Sequence, residues 1–89
     1  MSDKWDADPA ANFTKRIGKS AHELGVTTGH TSCPDIWELD NGDFVVIGSN
    51  LTQAYAGRLP EGVSVDSHET LVVVPRGTLL SAKADIPDA

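Results

Sequence analysis

The chain has 89 residues, 39% of them hydrophobic and 22% charged, a globular composition with room for one modest core. Its 13 acidic and 7 basic side chains leave a net charge of -6, which repels phosphate backbones and anionic lipid at long range and puts direct nucleic-acid binding at a disadvantage. The longest apolar runs cover only 44–47 and 71–74, far short of the ~20 residues that a membrane-spanning helix needs.

Residues 1–11 alternate small, acidic and turn-forming types and read as a flexible N-terminal segment ahead of a single domain over 12–89. No basic stretch followed by an apolar one marks a secretory signal, and the single Cys33 cannot close a disulfide within the chain. Both point to a reducing cytosol. Trp5 stands out in this segment, either folding back onto the domain or serving as an anchor in a partner.

Phe13, Ile17, Ala21 and Leu24 recur at helical spacing, with Asn12 placed to cap and Gly25 to stop, and predict a short helix over 12–24. Gly18 weakens it by about 1 kcal/mol relative to alanine, so the helix needs tertiary support. Lys15, Arg16 and Lys19 would form its one basic patch, a docking face or simply a solvated surface. Residues 25–34, rich in Gly, Thr and Ser and ending in Pro34, read as a loop.

The clearest local signal is Ile36 to Ile47, two strand-like runs around Asn41-Gly42. A two-residue type I′ turn there predicts a hairpin of about 36–40 and 43–47. That turn sets Leu39 against Phe44, Trp37 against Val46 and Ile36 against Ile47. It gathers Trp37, Leu39, Phe44 and Val46 on a core face and leaves Ile36, Glu38, Val45 and Ile47 on a half-apolar face. Asn50 to Gln53 has capping-box spacing and begins a helix of about 50–58 that Gly57 and Pro60 end. Residues 61–69 read as an exposed connection. The β-branched run of about 70–74 reads as a buried strand beside the hairpin, and 77–83 as a closing helix packed by Leu79, Leu80 and Ala82. The fold class is therefore α+β, a small antiparallel or mixed sheet built on the hairpin, with short helices.

The chemistry-bearing residues form no catalytic constellation. His22, His30, Cys33 and His68 are the strong zinc-ligand types, and the spacing of His30 and Cys33 resembles half of a zinc knuckle. The second close pair is missing, so no metal or other cofactor is assigned. Cys33 as a nucleophile would need a base such as His30 or His68 beside it, and nothing in the sequence positions one. Asp35, Glu38, Asp40 and Asp43 suggest calcium at first sight, but they lack the later bidentate Glu of a calcium loop and read as turn chemistry. Neither glycine-rich phosphate motif occurs.

The stretch Cys33 to Phe44 with Ile47-Gly48, then Val74-Pro75-Arg76 and Ser81-Ala82-Lys83, resembles a group of small acidic uncharacterised proteins of actinomycete bacteria. The resemblance implies a bacterial cytosolic protein, in neighbourhoods that contain helix-turn-helix regulators, and carries over no activity or functional residue. The acidic surface, the absence of a catalytic constellation and a sheet too small to shelter both of its faces lead to a non-enzymatic protein-interaction module, an accessory to a transcription regulator or a toxin–antitoxin-like pair. Its partner is another protein, with a second copy of the chain as a further candidate, and no nucleic acid or membrane. The contact surface is placed on Ile36, Val45 and Ile47, with Trp5, Lys15, Arg16 and Lys19 at its margins. The alternatives are a small metal- or thiol-dependent module using Cys33 and the histidines, and a swapped-hairpin DNA binder, for which this hairpin is too acidic.

Overall fold

The computed structural model describes residues 5–25 and 34–87. Its fold is α+β: a three-stranded antiparallel sheet in the order β1 (Phe13–Arg16), β2 (Asp35–Leu39), β3 (Phe44–Ile47), and a two-stranded antiparallel ladder of β4 (Ser49–Asn50) with β5 (Val72–Val73). One turn of helix, α1 (Thr52–Tyr55), precedes β5, and α2 (Arg76–Ala82) follows it and runs into a 3₁₀ turn over Lys83–Asp85. Among the described residues no helix is long and apolar enough to cross a membrane.

The helix expected over 12–24 is instead a strand and a turn. Phe13–Arg16 pairs with β2, setting Phe13 against Leu39, Lys15 against Glu38 and Arg16 against Trp37, with a β-bulge at Thr14. Thr14 mends the ladder by donating its hydroxyl to the Glu38 carbonyl at 2.9 Å. The bulge explains the misleading four-residue spacing, because it turns Phe13 and Ile17 to opposite faces of the sheet. After Gly18 (φ +77°), Ser20 and Glu23 form a reciprocal capping box, Ser20 N–H to Glu23 Oε1 at 3.0 Å and Glu23 N–H to Ser20 Oγ at 3.2 Å. It opens only a single turn.

The hairpin forms where the sequence places it, but one residue out of the expected register. Asp35 pairs with Ile47, Ile36 with Val46, Trp37 with Val45 and Glu38 with Phe44. Of the two turn residues only Gly42 has positive φ, +90°, whereas a type I′ turn needs it at Asn41 too. Asn41 instead accepts the Asp43 N–H on its side-chain oxygen at 3.0 Å. Gly42 N–H bonds the Leu39 carbonyl and Leu39 N–H bonds that of Asp43, which makes a three-residue loop, a type I turn closed by a glycine bulge. The slip moves every β3 side chain to the other face: Val45 and Ile47 join Trp37, and Val46 joins Ile36.

The core therefore lies on the Ile36 face and not on the tryptophan face. Ile17 donates its N–H to the Ile36 carbonyl at 2.8 Å, and the two side chains close on Ala82 of α2, leaving Ile36 only 4% exposed. α2 begins after Pro75, close to the expected 77–83, but it is rotated from the expected packing. Thr78 and Ala82, one turn apart, are buried, while Leu79 and Leu80 stand out in solvent. The rotation is set by bonds to the turn after β1. Asp85 Oδ2 accepts the Gly18 N–H at 2.9 Å and Ser81 Oγ accepts the Lys19 N–H at 3.1 Å, so that edge of the helix must face inward.

The run of 70–74 is not a buried central strand. Only Val72–Val73 is extended, both residues are exposed, and they pair with β4 beyond the hairpin. Gly48 permits this crossing, since a Cβ there would stand 2.6 Å from the Val73 carbonyl oxygen. The helix expected over 50–58 shortens to α1, whose Thr52 N–H is taken by the Asn50 side chain at 3.1 Å.

Candidate interaction surface

Opposite the core, β1 and β2 build an aromatic and ionic platform. The Arg16 guanidinium meets both oxygens of Asp35, Nε at 2.9 Å and Nη2 at 3.0 Å, and lies 4.7 Å above the Trp37 ring centre. Trp37 Nε1–H donates to the same Asp35 carboxylate at 3.1 Å, and Phe13 tilts against the indole at 5.6 Å between centroids. Strand geometry makes this possible: Arg16 and Trp37 are register partners, and Asp35 is two residues from Trp37 on the same face. Burial works to raise the Asp35 pKa. The hydrogen bonds from Arg16 and Trp37, with the field of Arg16, outweigh it and hold the carboxyl below its ordinary value. The bond to Asp35 in turn raises the Arg16 pKa, so the pair stays ionised.

Val45 and Ile47 continue the platform onto β3 as register partners of Trp37 and Asp35. Trp5 closes its far end, donating Nε1–H to Asp43 at 3.1 Å, and a cleft of about 310 Å³ opens there between Trp5, Phe13, Leu39 and Val45. Residues 8–12 run beside the hairpin loop, with Asn12 N–H on Asp40 at 3.1 Å.

Of the contact residues read from the sequence, Val45, Ile47, Arg16 and Trp5 come together here. Ile36 does not, because the register carries it into the core. The basic patch dissolves once β1 is a strand. Arg16 faces the platform, Lys15 lies on the opposite face 4.0 Å from Glu38, and Lys19 sits beyond the turn at Gly18. Sequence reasoning missed Phe13, Trp37 and Asp35 as a cluster. The available signal was the Ser20-x-x-Glu23 capping box, which begins a helical turn at 20 and frees 13–16 to be a strand.

The carboxylates of the hairpin are all engaged structurally: Asp35 by Arg16, Glu38 by Lys15, Asp40 by Asn12, and Asp43 by Trp5 and its own loop. Cys33 and His30 lie outside the described residues. His68 groups with Asp66 and Glu69, their ligand atoms within 4.8 Å on an exposed turn, where Glu69 Oε1 already accepts the Asp66 N–H at 2.9 Å. That is the arrangement of a capped turn.

No family model matches this chain, and comparison with curated proteins and with solved structures yields no match. Fold and platform thus define its class: a small α+β domain that presents one face of a hairpin-based antiparallel sheet.

Proposed function

We propose that the chain is a non-enzymatic, cytosolic protein-interaction module that captures another protein on the Phe13–Arg16–Trp37–Val45–Ile47 platform. The observation that carries the reading is an arginine locked by two bonds to Asp35 and stacked on a tryptophan, yet presented on an open sheet face. Trp and Arg anchors dominate protein interfaces, and side chains already held in one geometry lose little entropy on binding. The net charge of -6 favours encounter with a basic partner, and the resemblance to actinomycete proteins points to a transcription regulator or toxin–antitoxin-like pair as its source. The same features weigh against nucleic acid, because Arg16 spends its guanidinium on Asp35 and Asp43 adds a second carboxylate at the Trp5 end of the platform.

The test is affinity capture from host lysate with the intact chain and with the Val45→Glu, Ile47→Lys double variant, both verified as folded by circular dichroism. A protein retained by the first and lost by the second supports the platform. Equal retention by both removes it as the contact surface.

A further inference from the structure

The two outer edges of the main sheet are treated differently by the sequence. The β1 edge is bulged at Thr14 and carries Lys15 and Arg16, devices that discourage another strand from pairing. The β3 edge has none of them. In the antiparallel ladder Leu39 N–H bonds the Asp43 carbonyl, so the alternation turns the backbone groups of Val45 and Ile47 toward β2 and those of Phe44 and Val46 outward. Among the described residues no strand pairs with that outer side. Phe44 and Val46 are also 40% and 42% exposed.

We propose that the β3 edge pairs antiparallel with the β3 edge of a second copy, joining two three-stranded sheets into one continuous sheet across a two-fold axis near Val45 and Val46. This deepens the interaction-module reading and rests on it. Two observations select a second copy as the occupant. A chain of net charge -6 repels its own kind, yet residues 44–57 contain no charged side chain, so this edge is where two acidic copies can approach without apposing like charges. The edge also leaves Phe44 and Val46 40% and 42% exposed, an apolar surface that an identical edge would cover. An antiparallel pair of identical edges is self-complementary, as a two-fold contact requires. It would also set Val45 and Ile47 of both copies side by side and double the length of the platform.

The experiment is sedimentation equilibrium of the full chain from about 1 to 100 μM, beside Val46→Glu and the control Val63→Glu on an exposed turn outside the strands. Amide hydrogen exchange of the unaltered chain supplies a readout independent of any variant. The expected result is twice the 9.4 kDa chain mass, association weakened roughly 100-fold by Val46→Glu and unchanged by Val63→Glu, and protection of the Phe44 and Val46 amides that fades on dilution. A monomer at every concentration overturns the proposal, while the lysate capture judges the platform separately. A dimer indifferent to Val46→Glu, with fast-exchanging Phe44 and Val46 amides, also overturns it. Protection of those amides only after a captured foreign protein is added would give the edge to that protein, overturning the second copy and keeping the module.

Discussion

Replacing Gly18 by alanine tests how the sheet is fastened to α2. Gly18 has φ +77°, where an L-residue costs about 1–2 kcal/mol. A Cβ there would also stand 2.6 Å from Ser81 Oγ, 2.8 Å from Ala82 N and 2.9 Å from Ala82 Cα. Two of these three neighbours are helix backbone that cannot rotate away, so overpacking adds about 1–3 kcal/mol. The shift strains the Gly18–Asp85 and Lys19–Ser81 hydrogen bonds as well. The sum, roughly 2–5 kcal/mol, is large against the ~4–13 kcal/mol that a domain of this length commonly holds. Gly42→Ala is the matched control, since φ is +90° and nothing lies within 4 Å of its Cβ position, leaving the backbone cost alone. Urea unfolding followed by circular dichroism should place Gly42→Ala about 1–2 M below the unaltered midpoint and Gly18→Ala well below that, or unfolded without urea, for a slope near 1 kcal/mol/M. Equal losses from the two substitutions would refute the close contact between Gly18 and α2.

Thr78 is 2% exposed and its hydroxyl has no hydrogen-bond partner among the described residues, so Thr78→Val should stabilise the fold by about 1 kcal/mol and raise Tm by about 4–8 °C in a calorimetric scan. Asp35→Asn removes the charged partner of Arg16 and should cost about 1 kcal/mol, kept small by solvent at an arginine side chain that is 38% exposed. Because the folded-state pKa of Asp35 is depressed, its contribution is present above the unfolded value near 3.9 and is lost as pH falls below that through the folded value. Urea midpoints at neutral and acid pH should therefore converge between the Asp35→Asn variant and the unaltered chain as the solution is acidified, and a constant gap would contradict the assignment.

The position of the hairpin was legible because Asn41-Gly42 divides two apolar runs, but its register was not. Choosing between a two-residue and a three-residue loop depends on one side-chain bond, from Asp43 N–H to Asn41, which holds Asn41 out of the left-handed region. That single bond decides whether Val45 or Val46 shares a face with Trp37, and with it which face becomes the core. Phe13, Ile17, Ala21 and Leu24 read as a helix because a bulged strand followed by a capped turn reproduces a four-residue spacing by coincidence. α2 lies close to where Leu79, Leu80 and Ala82 suggested a closing helix, yet its rotation followed from Ser81 and Asp85 and not from the apolarity of Leu79 and Leu80. Pairings between distant segments, such as Arg16 with Asp35, leave no periodic trace. The platform could be named only in part, through Val45, Ile47, Arg16 and Trp5.

The bulge at Thr14 bears on what this sheet is built to do. In an unbroken ladder Phe13 would share a face with Ile17, beside Lys15 and Glu38 and toward the side that α2 closes. With the bulge it crosses to the Trp37 side, where it remains 53% exposed. The exchange brings little burial and interrupts a backbone ladder that a threonine hydroxyl must then repair. Its structural product is the contact of Phe13 with Trp37, next to the Arg16–Asp35 pair. Core packing gives no reason to hold a phenylalanine there, whereas the proposed partner-binding face would use it, and bulges elsewhere are used to re-aim side chains in this way. The cost falls on the β1 edge, where Lys15 and Arg16 already discourage strand pairing, so the proposed binding face gains an aromatic side chain without making that edge more open.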